Sequence, residues 1–140
     1  MKLGQNLEFK AILLDDVSQG VILKFEFRGI HDHGCPHNKE IVEYLEKEVE
    51  KYKPDAILLD FLQYQYKFGN ELMNVILTPV FNPEKESIRP GAIIAKEKTK
   101  DSIQSLIYES MMHKVLNIAI LENNEEALEH IKKELSTVKI

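Results

Sequence analysis

The run Ala56-Ile57-Leu58-Leu59 is unbroken in its apolar character, follows a helical pattern and closes on Asp60. A short run of that kind after a helix reads as a central strand buried on both faces and parallel to its neighbours. The residues before it fit. From His37 to Lys53 the apolar positions Ile41, Leu45 and Val49, joined by Val42 and Tyr52, fall at helical spacing, while Glu and Lys fill the remainder. Pro54 ends that helix, because the residue before a proline avoids the α region.

Further upstream, Leu7, Phe9, Ala11 and Leu13 fall at every second position, which predicts a half-buried strand over Leu7 to Leu14. A polar stretch from Asp15 to Gly20 reads as a turn. Val21, Leu23, Phe25 and Phe27 then share one face, and Lys24, Glu26 and Arg28 take the other. Two such strands with a short polar connection predict an antiparallel hairpin. Downstream, Asn70 to Leu77 reads as an apolar helix, and Thr78 to Pro90, with three prolines, as mostly loop. Ala92 to Ala95 is another short strand, Ile103, Leu106, Ile107 and Met111 mark a helix, and Val115 to Leu121 is a fifth strand. Asn123-Asn124-Glu125-Glu126 resembles a capping box opening a last helix, whose inward face is Ala127, Leu128, Ile131 and Leu135. The expected architecture is one α/β domain over residues 1–140. Its sheet is mixed and mostly parallel, of about five strands in the order β-β-α-β-α-β-α-β-α, with right-handed crossovers.

That order resembles the STAS domain, the module shared by sulfate transporters and anti-sigma factor antagonists. The likeness is carried by Lys53-Pro54-Asp55-Ala56-Ile57-Leu58-Leu59-Asp60-Phe61, by Gly69-Asn70-Glu71-Leu72 and by Glu125-Glu126-Ala127-Leu128. It implies a non-enzymatic regulatory module that docks onto a protein partner, through a surface made of Tyr64, Tyr66, Lys67, Gly69, Asn70, Glu71 and Met73. The family carries a phosphorylatable serine in an Asp-Ser-Ser-Gly turn. Those positions fall here on Phe68, Gly69, Asn70 and Glu71, so both serines are absent. Asn70 caps a helix but takes no phosphate. Glu71 places a fixed negative charge near a helix N-terminus, where a phosphate would be stabilised. A permanent mimic of the phosphorylated form and a capped helix without the switch are both consistent with this, the second being the plainer.

The rival reading rests on His31-Asp32-His33-Gly34-Cys35-Pro36-His37. Imidazole and thiolate suit zinc, so His31, His33, Cys35 and His37 form a candidate metal set, although their spacing matches no usual zinc pattern. Pro36 suits the first position of a helix, which would place Cys35 at a terminus that lowers a thiol pKa. A metal protein or a Cys/His-dependent enzyme is therefore the alternative to docking; the plain reading of these residues is a polar turn, with no cofactor. Asp60, at a strand end, is expected to accept backbone amides of the following turn. The aromatic run Gln63 to Phe68 reads equally as an exposed interface loop or as a strand extension with its rings inward. A third reading makes it the contact of a homo-oligomer.

The net charge of −5 offers no basic footprint for nucleic acid. Cys35 is the only cysteine, which rules out an internal disulfide and fits a reducing compartment. No apolar run approaches the roughly 18 residues that a membrane span needs, and no leader-like stretch opens the chain, so a cytoplasmic location is expected. Lys96-Glu97-Lys98-Thr99-Lys100 reads as a solvated strand end.

Overall fold

The computed structural model describes residues 2–3, 7–14, 20–31, 38–66, 71–109 and 118–138. The elements in chain order are β1 (Lys2–Leu3), β2 (Leu7–Leu14), β3 (Ile22–His31), α1 (Asn38–Tyr52), β4 (Ala56–Tyr66) and α2 (Glu71–Val80). They continue with β5 (Phe81–Asn82), β6 (Ser87–Ile88), β7 (Gly91–Ile94), α3 (Glu97–Glu109), β8 (Ile118–Leu121) and α4 (Asn124–Val138). The main sheet has the order β1-β2-β3-β4-β7-β8, and β5-β6 is a separate small hairpin. β1 and β2, and β2 and β3, run antiparallel; β3, β4, β7 and β8 are parallel. The expected five strands are all present, with β1 added at the edge.

Each parallel strand lies beside the next one in sequence, so the sheet winds in a single direction. Right-handed crossovers then lay every connecting helix on the same face. The packing follows that rule. Ile41, Leu45 and Val49 of α1, Val75, Ile76 and Val80 of α2, and Ile103 and Ile107 of α3 share one core with Phe9, Leu23, Phe25, Phe27, Ile57, Leu59 and Ile93. The opposite face holds a smaller core in which Ala127, Ile131 and Leu135 of α4 cover Ile22, Ala56, Leu58, Ala92 and Ile94. Ile57, Leu58 and Leu59 are fully buried, the double burial that their unbroken apolar run predicts. Each contributes roughly 1.5–3 kcal/mol through the area it removes from water.

The element ends are closed by specific contacts. Lys53 takes a left-handed conformation (φ 44°) after α1, with its N–H on the Val49 carbonyl at 2.7 Å, and buried Pro54 prevents the helix from continuing. The Val21 N–H donates to Asp55 Oδ2 at 2.8 Å, and a Cβ on Gly20 would stand 2.8 Å from that same oxygen, so glycine is needed there. At the other end of the fold, the Asn123 side chain accepts the Glu126 N–H at 2.9 Å, the cap expected for α4.

Two local expectations differ. α2 continues through Pro79 to Val80 rather than stopping at Leu77. The proline lies in the last turn, where only one intrahelical bond is lost, and the residues after it form the β5-β6 hairpin instead of open loop. Lys96 to Lys100 is not a strand end: Glu97 to Lys100 form the first turn of α3, with Lys100 N–H on the Lys96 carbonyl. Among the described residues no helix is long and apolar enough to cross a membrane.

Arg89 ties the lower end of the fold together. It is 9% exposed, and its guanidinium donates to the Pro54 carbonyl at 3.0 Å, to the Pro79 carbonyl at 3.1 Å and to the Phe81 carbonyl at 2.8 Å. Burial pushes this guanidinium below its ordinary pKa, against the pull of Glu84 and Asp55. Arg89→Met leaves three carbonyls without their donor and is expected to cost about 2–4 kcal/mol in urea denaturation. A loss under about 0.5 kcal/mol, the range of an ordinary surface change, would show that the clamp contributes nothing.

Candidate docking surface

The carboxyl ends of β3, β4, β7 and β8 all lie at one end of the sheet. β7 stops at Ile94, opposite Asp60, and β8 stops level with it at Leu121. β3 and β4 do not stop. They run on as a parallel pair until His31 faces Tyr66. The segment read equally as loop or strand is therefore strand as far as Tyr66, and β4 is 11 residues long.

The extension is irregular in one place. Glu26 pairs with Asp60, but Arg28 pairs with Gln63, so Phe27 alone faces both Phe61 and Leu62. One extra residue in β4 makes this a β-bulge, a feature uncommon between parallel strands. Asp60 holds it. Its Oδ1 accepts the Leu62 N–H at 3.0 Å, and its Oδ2 lies 3.7 Å from Lys24 Nζ. Lys24 Nζ also donates to Asn124 Oδ1 at 3.3 Å, which links the bulge to the first residue of α4. The expectation that Asp60 accepts a backbone amide is met, inside a strand rather than a turn.

The bulge restores Tyr64 to the inner face. It is 3% exposed, with ring centroids 5.0 Å from Phe61 and 5.5 Å from Phe27, and Phe61 and Phe27 lie 4.8 Å apart. Phe9 meets Phe27 edge-on at 5.1 Å. This aromatic cluster corrects the expected docking set: Tyr64 belongs to the core and offers no surface to a partner. Met73, 7% exposed on the inner side of α2, leaves the set for the same reason. Tyr66 is the last residue of β4 and Glu71 the first of α2; Lys67, Gly69 and Asn70 lie outside the described residues. Of the candidate metal set, His31 closes β3, and His33, Cys35 and His37 lie outside the described residues. Among the described residues, no three His, Cys, Asp or Glu side chains are grouped to hold a metal ion.

On the α4 side, α4 packs mainly on β4, β7 and β8 and reaches β3 at Ile22 and Lys24. On the same face Glu8 faces Arg28 and Lys10 faces Glu26 across β2 and β3. Opposite charges in register stabilise such a pair by a few tenths of a kcal/mol, up to about 1 kcal/mol. The period-two reading of Lys24, Glu26 and Arg28 anticipated this polar face. Nothing in the sequence singled out Tyr108, which stands 67% exposed on α3 beside a shallow depression with Gln104, Ser105 and Glu109. A single aromatic on the outer face of a helix carries no periodic signal.

The arrangement defines a class of fold. This chain folds as a STAS-like, SpoIIAA-like α/β domain, as the resemblance implied. A crystal structure of an anti-sigma factor antagonist from Mycobacterium paratuberculosis aligns over 89% of this chain and 95% of its own, with 11% identity and a TM-score of 0.59. An uncharacterised protein of the DUF3478 family from Shewanella loihica, described as having a SpoIIAA-like fold, aligns over 92% and 97%, with 13% identity and a TM-score of 0.54. No protein-family profile matches the sequence, and no curated protein does. At these identities the likeness is one of fold.

Tyr64→Ala is expected to destabilise the protein by about 3 kcal/mol, the cost of removing a core aromatic, with binding effects secondary to that loss. Denaturation midpoints within error of wild type would return Tyr64 to the surface set.

Proposed function

We propose that this chain is a non-enzymatic regulatory module of the anti-sigma factor antagonist type, acting in the cytoplasm by docking onto a protein partner and carrying no serine switch. The observation that carries the reading is the way the sheet winds. In open α/β sheets, ligands settle in the crevice that opens where successive connections turn in opposite directions. Here β3, β4, β7 and β8 follow one another in a single direction, and α1, α2 and α3 lie together on one face. Among the described residues the strand order supplies no such crevice, which favours recognition on a surface at the carboxyl ends. A surface of that kind suits a protein partner. The anti-sigma factor antagonist that aligns along almost the full length of this chain supports the same role.

With Tyr64 and Met73 removed to the core, the docking residues are Tyr66, Lys67, Gly69, Asn70 and Glu71. Where the resemblance places a phosphorylatable serine, the chain has Asn70, whose amide accepts no phosphoryl group. Binding would then be constitutive rather than switched.

Affinity capture from native lysate, with wild type and Asn70→Arg as parallel baits, tests this. A partner retained by wild type and lost with Asn70→Arg, with no phosphate transferred to the bait from labelled ATP, is the expected result. Identical recoveries from the two baits, or stoichiometric phosphorylation, would overturn it.

A further inference from the structure

We infer that Asp60 sets the register of the end of β4 and thereby selects which side chains that end presents to a partner. The inference rests on the docking reading for its consequence, though not for its physical content. After Asp60 the sequence reads Phe61-Leu62-Gln63-Tyr64-Gln65-Tyr66, a strict alternation of polar and aromatic residues from Gln63 onward. Because side chains alternate with a period of two, a shift of one residue exchanges every inward position for an outward one. Two pairings with β3 are therefore available to this segment. In the bulged pairing Gly29 faces Tyr64, Tyr64 is buried and Gln63 is exposed. In the straight pairing Phe61 would face Phe27, Leu62 would face Arg28 and Gln63 would face Gly29, which turns Gln63 inward and Tyr64 outward.

The bulge has one feature that the straight ladder lacks, the 3.0 Å bond from the Leu62 N–H to Asp60 Oδ1. It takes up the backbone donor at the site of the extra residue, and an unpaired donor in a half-buried strand would otherwise be costly. Lys24, held between Asp60 and Asn124, keeps the carboxylate in place. Asp60 is a positioning residue: it need not touch a partner, yet it decides whether the partner meets glutamine at position 63 or tyrosine at position 64. The exposed neighbour Arg28, opposite Gln63, completes a polar row in the bulged form.

The test compares Asp60→Asn, which keeps a carbonyl acceptor, with Asp60→Ala, which removes it, both in the full chain. The readouts are cross-strand nuclear Overhauser contacts and amide exchange. Asp60→Asn is expected to keep the Gly29–Tyr64 contact. Asp60→Ala is expected to show Gly29–Gln63 contacts, with amide exchange at Leu62 to Tyr64 accelerated by roughly tenfold more than at the core of β4. Gly29–Tyr64 contacts retained in Asp60→Ala, with exchange changed uniformly, would overturn the inference and leave Asp60 a general stabiliser. Should Asp60→Ala fail to fold, the triple variant that adds Gln63→Tyr and Tyr64→Gln places the aromatic where the straight register needs it. Folding of that variant with the aromatic at position 63 facing Gly29 supports the inference, and failure to fold, or a bulged register, refutes it. Neither readout needs a partner, so the result stands apart from any outcome of the capture experiment.

Discussion

Burial of β4 on both faces is the constraint on which the remaining structure depends. Ile57 and Leu59 need one apolar layer and Ala56 and Leu58 need another, so a single sheet with helices on one side would leave half of this strand in water. α1, α2 and α3 supply the first layer because right-handed connections between successive parallel strands lay them there. α4, which follows the edge strand β8, closes the second. The two cores differ in size accordingly, and the outer part of the second face carries the pairs Glu8–Arg28 and Lys10–Glu26, with Leu14 packed against the smaller core beside them.

The same strand connects the two ends of the domain. At its start, Pro54 gives its carbonyl to Arg89, which also gathers the end of α2 and the start of the small hairpin. Beyond its buried half, Asp60 joins β4 to β3 and to the beginning of α4. The first end is a fixed anchor built on main-chain carbonyls. The second is a junction where β7 and β8 stop and β4 runs on beside β3, with β2 still paired to the far side of β3 as far as Gly29. Functional surfaces tend to be drawn from such less constrained parts of a fold.

The elements that the sequence made legible are those decided by local periodicity: the β2-β3 hairpin, the stripe Ile41, Leu45 and Val49, and the inward face of α4. The ones it obscured were decided by neighbours distant in sequence. Polar residues after Asp60 ended the apolar run, and nothing local shows that β3 continues alongside to hold them in a strand. The bulge hides Tyr64 further, because one extra residue puts Phe61 and Tyr64 on the same face at a spacing of three, which fits no strand pattern. Pro79 reads as a helix breaker, yet the end of α2 has few bonds left to break. The lysines from Lys96 to Lys100 oppose the dipole of a helix start, so the burial of Ile103 and Ile107 had to decide for α3 what its first turn does not. The docking set has the same origin: Tyr64 and Met73 belong to it by position in the chain alone, and the core claims both.

An aromatic residue placed at a strand end is commonly taken as a binding anchor, and here the packing argues otherwise. Tyr64 lies among Phe27 and Phe61 at ring separations of 5.0–5.5 Å, distances typical of aromatic pairs that stabilise a core. Moving that ring to the surface would open a cavity between Phe61 and Phe27, and would leave the Gln63 amide facing the apolar core beside them. Aromatic packing and the Asp60 bond therefore act in the same direction, each favouring the bulged form. Removing the bond leaves the rings to hold the register alone, against a straight ladder that needs no extra residue. Because one carboxylate acts together with these rings where β4 loses β7 as a neighbour, the surface at that end is set from within the core.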